Sequence, residues 1–336
     1  MRRRAALRWF GWFSVGFAIP NLSTACSSQQ STGSNSASTG KPLIVGVQPW
    51  IGFRGHYVAT AKNLFTPEGV TVKEEFFQAA TDTNTALAAG KVDLAWIGGP
   101  DLLTLVAQAP SLRIIMMSDY SNGADGIIGR NISKPEDMRG KKVAREDAPY
   151  AMVFLGEYLK QGGLTEKDLN VIPLSAGDAV AAFVSGKVDA ATTYEPWLSK
   201  AVQQAKAEKI FTSKDTNIIP IVLATKSEVI ESRKNDILKY LRAIDKGIAF
   251  ADSNSDEAAK ICARKLGVTP KEIPAQLAGI KPFNIEGNKT GPFNSNSPLS
   301  LKKSLESASQ TIYKLKVIPK PVNVANLIDD SLIKAL

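Results

Sequence analysis

Histidine occurs once, at His56, and cysteine twice, at Cys26 and Cys262. So few ligands, so far apart, leave no His/Cys spacing for a metal and no disulfide framework, and neither a metal nor another cofactor is expected. Gly-x-Ser-x-Gly elbows and phosphate-cradling Gly-rich loops are absent too, which argues against an enzyme. The most apolar run, residues 9–19, is too short to span a bilayer as a stable helix. No basic run is interleaved with aromatics. The formal charge of +9 owes four of its positive residues to Arg2, Arg3, Arg4 and Arg8, and beyond Lys41 basic and acidic residues mix as on a solvated surface, so nucleic acid is not a partner.

What the chain does have is a repeat. Gly90-Lys91-Val92-Asp93-Leu94-Ala95-Trp96-Ile97-Gly98-Gly99-Pro100 finds a counterpart in Gly186-Lys187-Val188-Asp189-Ala190-Ala191-Thr192-Thr193-Tyr194-Glu195-Pro196. Upstream, Ala80-Thr81-Asp82 aligns with Ala176-Gly177-Asp178, and each leads into an Ala-rich apolar run. Each copy predicts helix, Gly stop, strand, turn and helix. Two copies mean an α/β protein of two Rossmann-like lobes with a ligand cleft between them, because ligands of open α/β sheets sit beyond the carboxyl ends of the strands. Those ends carry Trp50, Trp96 and Gly98 in the first lobe and Tyr194, Glu195 and Trp197 in the second. Asp82 and Asp178 read as helix N-caps, and the helix starts as donors for an anionic group.

The chain's first part reads as a leader. The arginines, the apolar run and small residues before Cys26 have the layout of a secretory signal peptide over residues 1–25, and Thr24-Ala25-Cys26 resembles a bacterial lipobox in which Cys26 would be lipidated, although Ser23 departs from its pattern. Residues 26–40, uncharged and rich in Ser, Thr, Gln, Asn and Gly, form a flexible tether.

Strands are expected at residues 43–47, 70–77 and 113–117, the last emptying into a loop with Asp119 and Asn122. An extended crossing at 124–129 contains Asp125, and a return strand spans 218–225. This places lobe 1 at 41–124 and 221–336 and lobe 2 at 125–220. From Ser227 the chain reads as mostly helix, with an irregular Gly/Pro/Asn-rich loop over residues 281–298. Asn122, Asp125 and Glu146 join the candidate ligand contacts. Asp119 and Asp147 add further acid at the mouth, which favours an amine-bearing or zwitterionic ligand over a bare anion. His56 and Cys262 read as structural residues, the latter a small buried hydrophobe in a helix.

The paired Gly-Lys-Val-Asp motifs, Ile132-Ser133-Lys134-Pro135-Glu136-Asp137 followed by Gly140-Lys141-Lys142-Val143-Ala144, and Thr193-Tyr194-Glu195-Pro196-Trp197 resemble the periplasmic substrate-binding proteins of bacterial ABC importers, in the nitrate, sulfonate and taurine class. The resemblance implies the periplasmic binding protein-like II fold and a monomer that closes on a small molecule. It also implies delivery to an ABC permease and its ATPase, at the periplasm or the outer face of the cytoplasmic membrane. A taurine-like amino-sulfonate is the expected ligand, with a thiamine-precursor pyrimidine as the alternative. A thiamine-pyrimidine synthase resembles the same fold, but that enzyme is associated with a Cys-rich motif, and this body offers Cys262 alone.

Overall fold

The computed structural model describes residues 40–214 and 216–336; the leader, Cys26 and all but the last residue of the tether lie outside the described residues. The chain first runs β1 (Leu43–Val47), α1 (Arg54–Ala61), β2 (Val72–Phe76), α2 (Ala80–Ala88), β3 (Leu94–Gly98), α3 (Gly99–Leu105) and β4 (Leu112–Ser121). A second run holds β5 (Asp125–Gly129), β6 (Lys142–Arg145), α4 (Pro149–Gln161), β7 (Asn170–Pro173), α5 (Ala176–Val184), β8 (Ala190–Tyr194), α6 (Trp197–Ala205) and β9 (Glu208–Thr212). The return strand β10 (Pro220–Lys226) leads to α7 (Ser227–Ser253), α8 (Ser255–Leu266), α9 (Ile273–Ala278), β11 (Ile280–Pro282), α10 (Ile285–Thr290), α11 (Leu301–Lys314) and α12 (Ser331–Lys334).

These strands make two sheets, ordered β11-β4-β10-β3-β1-β2 and β7-β6-β8-β5-β9. Both follow one plan. A parallel trio, β2-β1-β3 or β7-β6-β8, is extended by an antiparallel strand that has just crossed from the other sheet, β10 or β5. The fold is therefore α/β and two-lobed. Along β3 and β10 the side chains alternate between two cores. Leu94, Trp96 and Leu223 pack with Tyr57, Tyr240 and Ile244 of α1 and α7, whereas Ala95, Ile97, Val222 and Ala224 pack with Leu87, Leu102 and Leu305. A sheet covered on both faces needs such near-continuous apolar strands.

The repeated motif makes the same joint twice. Gly90 and Gly186 take φ of +68° and +75°, the left-handed turn that ends α2 and α5. Three residues on, the Asp93 carboxylate accepts the Ile44 N–H at 2.8 Å, and the Asp189 carboxylate accepts the Lys142 N–H at 2.8 Å. Their own N–H groups donate to the carbonyls of the same two residues. Each aspartate thus ties the strand of its repeat to the neighbouring parallel strand. Space beside Gly186 is open, with Arg130 Nη1 nearest an added Cβ at 3.9 Å, so Gly186→Ala should cost only backbone strain, about 1 kcal/mol. Gly156, inside α4 with an added Cβ meeting only Leu315 at 3.8 Å, should give the opposite sign on change to Ala, a gain of about 0.5–1 kcal/mol. Thermal melting of the two variants would show the contrast, and equal signs would refute it.

Three sequence expectations change. β4 does not stop at Met117 but continues to Ser121, because β10 and β11 pair with it on both edges and shelter its polar residues. The loop expected over residues 281–298 begins within β11 and contains α10, whose start Asn284 caps by accepting the Gly287 N–H at 2.7 Å. Asp82 and Asp178 are not N-caps. They lie in the first turns of α2 and α5; Ala79 precedes α2 without a capping side chain, and Ser175 caps α5 by accepting the Asp178 N–H.

Candidate ligand site

A small cavity of about 30 Å³ lies where the carboxyl ends of the parallel strands face one another. Gln48 and Trp50 reach it from the turn after β1, Gly98 and Asp101 from the β3–α3 junction, and Ile219 and Ile221 from β10 and the residue before it. The other sheet contributes Asp125 from the head of β5, Tyr150 from the first turn of α4, and Tyr194 from the end of β8. Asp125 and Tyr194 are register partners across β5 and β8, so sheet geometry sets them side by side. The Trp50 and Tyr150 rings each meet Tyr194 edge-on, with centroids 6.0 and 6.1 Å away.

The walls are aromatic and the charges on them are acidic. Asp125 is 3% exposed, and among the described residues its Oδ2 has no hydrogen-bond partner, nor do the Tyr194 hydroxyl and Gln48 Oε1. Burial pushes the Asp125 carboxyl up to about 7; the Ser121 hydroxyl opposes that, and neighbouring Asp119, Glu195 and Asp101 add to it. Burial likewise lifts Asp101 to about 7 against hydrogen bonds from Asn84 and the Tyr150 N–H. Behind Trp50, the Asp119 carboxylate accepts the indole N–H at 3.1 and 3.2 Å and the Ser118 hydroxyl at 2.6 Å, and burial raises it to about 7 as well. Gly52 makes this approach possible, since a Cβ there would collide with the Asp119 carboxylate.

Of the residues expected to contact ligand, the cavity brings together Trp50, Gly98, Asp125 and Tyr194. Trp96 does not face it. Two residues before the end of β3, Trp96 turns to the α1/α7 side, stacks near Phe53 at 5.5 Å, and gives its N–H to the Tyr240 hydroxyl at 3.0 Å. Glu195 is turned onto α6, accepting the Ser199 N–H at 3.1 Å and hydroxyl at 2.9 Å, so it serves as a helix cap. Trp197 lies against the start of α5 and under Lys200, 4.4 Å from its ring centroid. Asn122 sits in the crossing between the sheets and gives its backbone N–H to Gly279. Glu146 stands just behind the wall, accepting the Tyr150 hydroxyl at 2.8 Å. Asp147 is exposed and paired with Arg145.

Asp101, Tyr150 and Gln48 were not among the predicted contacts. The readable signal for Asp101 was its place, an acid in the first turn after a strand that ends Gly-Gly-Pro. Tyr150 gave none, because its approach depends on how the two sheets face each other. His56 is buried between Glu74 and Tyr240, each 3.0 Å from a ring nitrogen, and Cys262 is buried in α8.

The family model described as "NMT1/THI5 like" matches residues 50–258, which takes in the first run of strands after β1, all of the second run and the return strand β10. The chain belongs to that family. The taurine-binding periplasmic protein of Escherichia coli (strain K12) is 27% identical over 258 residues, covering 70% of this chain and 78% of its own. Among solved structures, the alkanesulfonate-binding protein of Xanthomonas axonopodis pv. citri bound to MOPS aligns at a TM-score of 0.74 and 19% identity, covering 88% of this chain and all of its own. The periplasmic aliphatic sulphonate binding protein of Escherichia coli aligns at 0.71 and 22% identity, covering 87% and 93%. At such identities the structures establish a shared two-lobed fold and leave the ligand to the residues of the cavity.

Proposed function

We propose that this chain is an extracytoplasmic lipoprotein, anchored through Cys26, that captures a small amine-bearing molecule between its lobes as a monomer and hands it to an ABC importer. The observation that carries the reading is the charge of the cavity lining: among the described residues its acids are Asp101 and Asp125, and it contains no Lys or Arg. Bringing a nitrate or simple alkanesulfonate beside buried carboxyls would leave its charge without a partner, whereas an ammonium or aminopyrimidine supplies the proton donors that Asp125 Oδ2 lacks. Trp50, Tyr150 and Tyr194 would wall a flat body and could hold a cation by their ring faces, worth about 0.5–2 kcal/mol.

A taurine-like amino-sulfonate is the second reading, favoured by the relative named for taurine. It shares the amine but needs a seat for its sulfonate. Catalysis is not part of the proposal, since neither Cys262 nor His56 is in the lining. Capture by closure is supported by two adjacent crossings between the sheets, joined where the Ser121 and Ser213 hydroxyls bond at 2.6 Å. With about 30 Å³ between the lobes, entry requires them to part.

Calorimetry of the exported protein with an aminomethyl-pyrimidine, taurine, ethanesulfonate and nitrate tests the ligand class. The amines should bind and the two plain anions should not; tightest binding by ethanesulfonate or nitrate would refute the reading. The mass of the mature N-terminal peptide tests the anchor, which is wrong if Cys26 carries no lipid.

A further inference from the structure

Two carboxylates cross between the lobes in opposite directions. Asp101, on α3 of the first, accepts the Tyr150 N–H at 2.8 Å in the opening turn of α4 on the second. Glu146, just before α4, accepts the Thr81 N–H at 3.4 Å at the start of α2 on the first. The remaining oxygens close a ring. Asn84, on α2, donates to Asp101 at 3.0 Å, and the Tyr150 hydroxyl donates to Glu146 at 2.8 Å. Asp101 and Glu146 are 1% and 3% exposed, while Ala80, Asp101 and Tyr150 all border the cavity. Asp125 and Tyr194, whose Oδ2 and hydroxyl have no hydrogen-bond partner among the described residues, line the same space and mark it as a place for a ligand.

The start of a helix, with free N–H groups and the positive end of its dipole, is a natural seat for an external anion. Here the seats at α2 and α4 are filled from within the chain. We infer that Asp101 and Glu146 are specificity-determining residues: as resident carboxyl acceptors on facing helix starts, they occupy the N–H groups a sulfonate or other oxyanion would need and close the site to it. The inference rests on the reading of the cavity as a ligand site. It assigns the choice between amine and anion to residues that are not the proposed amine partner.

The test is calorimetric titration of the protein and of Glu146→Ala, Glu146→Gln and Asp101→Asn with ethanesulfonate, nitrate and an aminomethyl-pyrimidine. Glu146→Ala frees the α2 start and should gain about tenfold or more in ethanesulfonate affinity, while losing relative preference for the amine. Glu146→Gln removes the charge at nearly constant size and should shift the preference the same way by less. A merely structural role would weaken all three ligands together and leave their ranking unchanged, which would overturn the inference. So would wild-type protein binding ethanesulfonate as tightly as Glu146→Ala does. If Glu146→Ala does not fold, the Gln and Asp101→Asn variants decide by the same ranking. Should the wild type ignore the pyrimidine while Glu146→Ala gains ethanesulfonate, the amine reading falls and this inference stands. If the wild type binds the pyrimidine and no variant gains an anion, this inference alone falls.

Discussion

Asp125→Asn is expected to weaken capture of an amine-bearing ligand about a hundredfold, close to 3 kcal/mol, without lowering the melting temperature of the unliganded protein. Asn preserves the size of the side chain and every backbone bond at the head of β5, including the N–H that approaches the Ser121 and Ser213 hydroxyls at 3.2 and 3.3 Å. Only the charge is lost, along with one acceptor position. In water that loss would be minor. In a cavity walled by Trp50, Tyr150 and Tyr194 the other lining acid, Asp101, already accepts from Asn84 and the Tyr150 N–H, so neutralising Asp125 leaves an ammonium's buried charge poorly compensated. Glu195→Gln is the matched control, because its carboxylate serves Ser199 on α6; its affinity should hardly change. Calorimetry at fixed pH and salt compares the two. Wild-type affinity in Asp125→Asn would remove Asp125 from the site.

The two acids also show why position mattered more than charge count. Asp125 and Glu195 neighbour the same register pair, Asp125 opposite Tyr194 with Glu195 next along the chain. Alternation along a strand sends one side chain to the cleft and turns the next away, and Glu195, just past the end of β8 and ahead of Pro196, gives its carboxylate to the start of α6. The cluster of acids at the mouth, read from the sequence as Asp119, Asp125, Glu146, Asp147 and Glu195, thus divides: Asp125 lines the cavity, Asp119 and Glu146 support its wall, and Asp147 and Glu195 are occupied elsewhere, while Asp101, outside that group, lines the cavity as well.

The two-lobed plan was legible because the repeat encodes a structural joint. Gly90 and Gly186 need left-handed backbone, and Asp93 and Asp189 latch adjacent strands, so both copies keep the residues that those jobs require. Strand ends were legible too and led to Trp50, Gly98 and Tyr194, while Asp125 was read from the extended crossing between the lobes. Trp96 misled because a strand end was taken as a direction: its ring is committed to Tyr240, far along the chain on α7. The length of β4 was hidden because Ser118 and Asp119 are polar, and nothing local reveals that Trp50 and β10 would shelter them. The ring through Asn84, Asp101, Tyr150 and Glu146 was invisible for a stronger reason. Its two links between the lobes, Asp101 to the Tyr150 N–H and Glu146 to the Thr81 N–H, depend on how the sheets face each other, and hydrophobic period carries no record of that.

Stability and ligand affinity should respond to pH with opposite signs. Burial holds Asp101, Asp119 and Asp125 near 7 in the folded chain, against an ordinary 3.8. Between those values the folded state binds more protons than the unfolded chain, so their contribution is fully present below about pH 4 and is lost as pH rises through about 7. Glu74 works the other way: although burial opposes it, hydrogen bonds from His56 and Lys265 pull it down to about 2, and its stabilisation disappears only as acid protonates it, outside the range at issue. The unliganded protein should therefore melt at progressively lower temperature from about pH 5 to pH 8. An ammonium or aminopyrimidine should bind more tightly over the same interval, by up to about tenfold per pH unit for each carboxyl whose proton its binding displaces, until the ligand's own amine deprotonates. Neutralising Asp125 by the Asn substitution should flatten both slopes, and the unequal neighbours of the three acids should spread the transitions rather than superimpose them. Melting curves across the interval, with and without an aminomethyl-pyrimidine, provide the measurement. If the unliganded protein gains stability toward pH 8, these carboxyls are already ionised when folded, and the acids of the cleft face water rather than a closed aromatic wall.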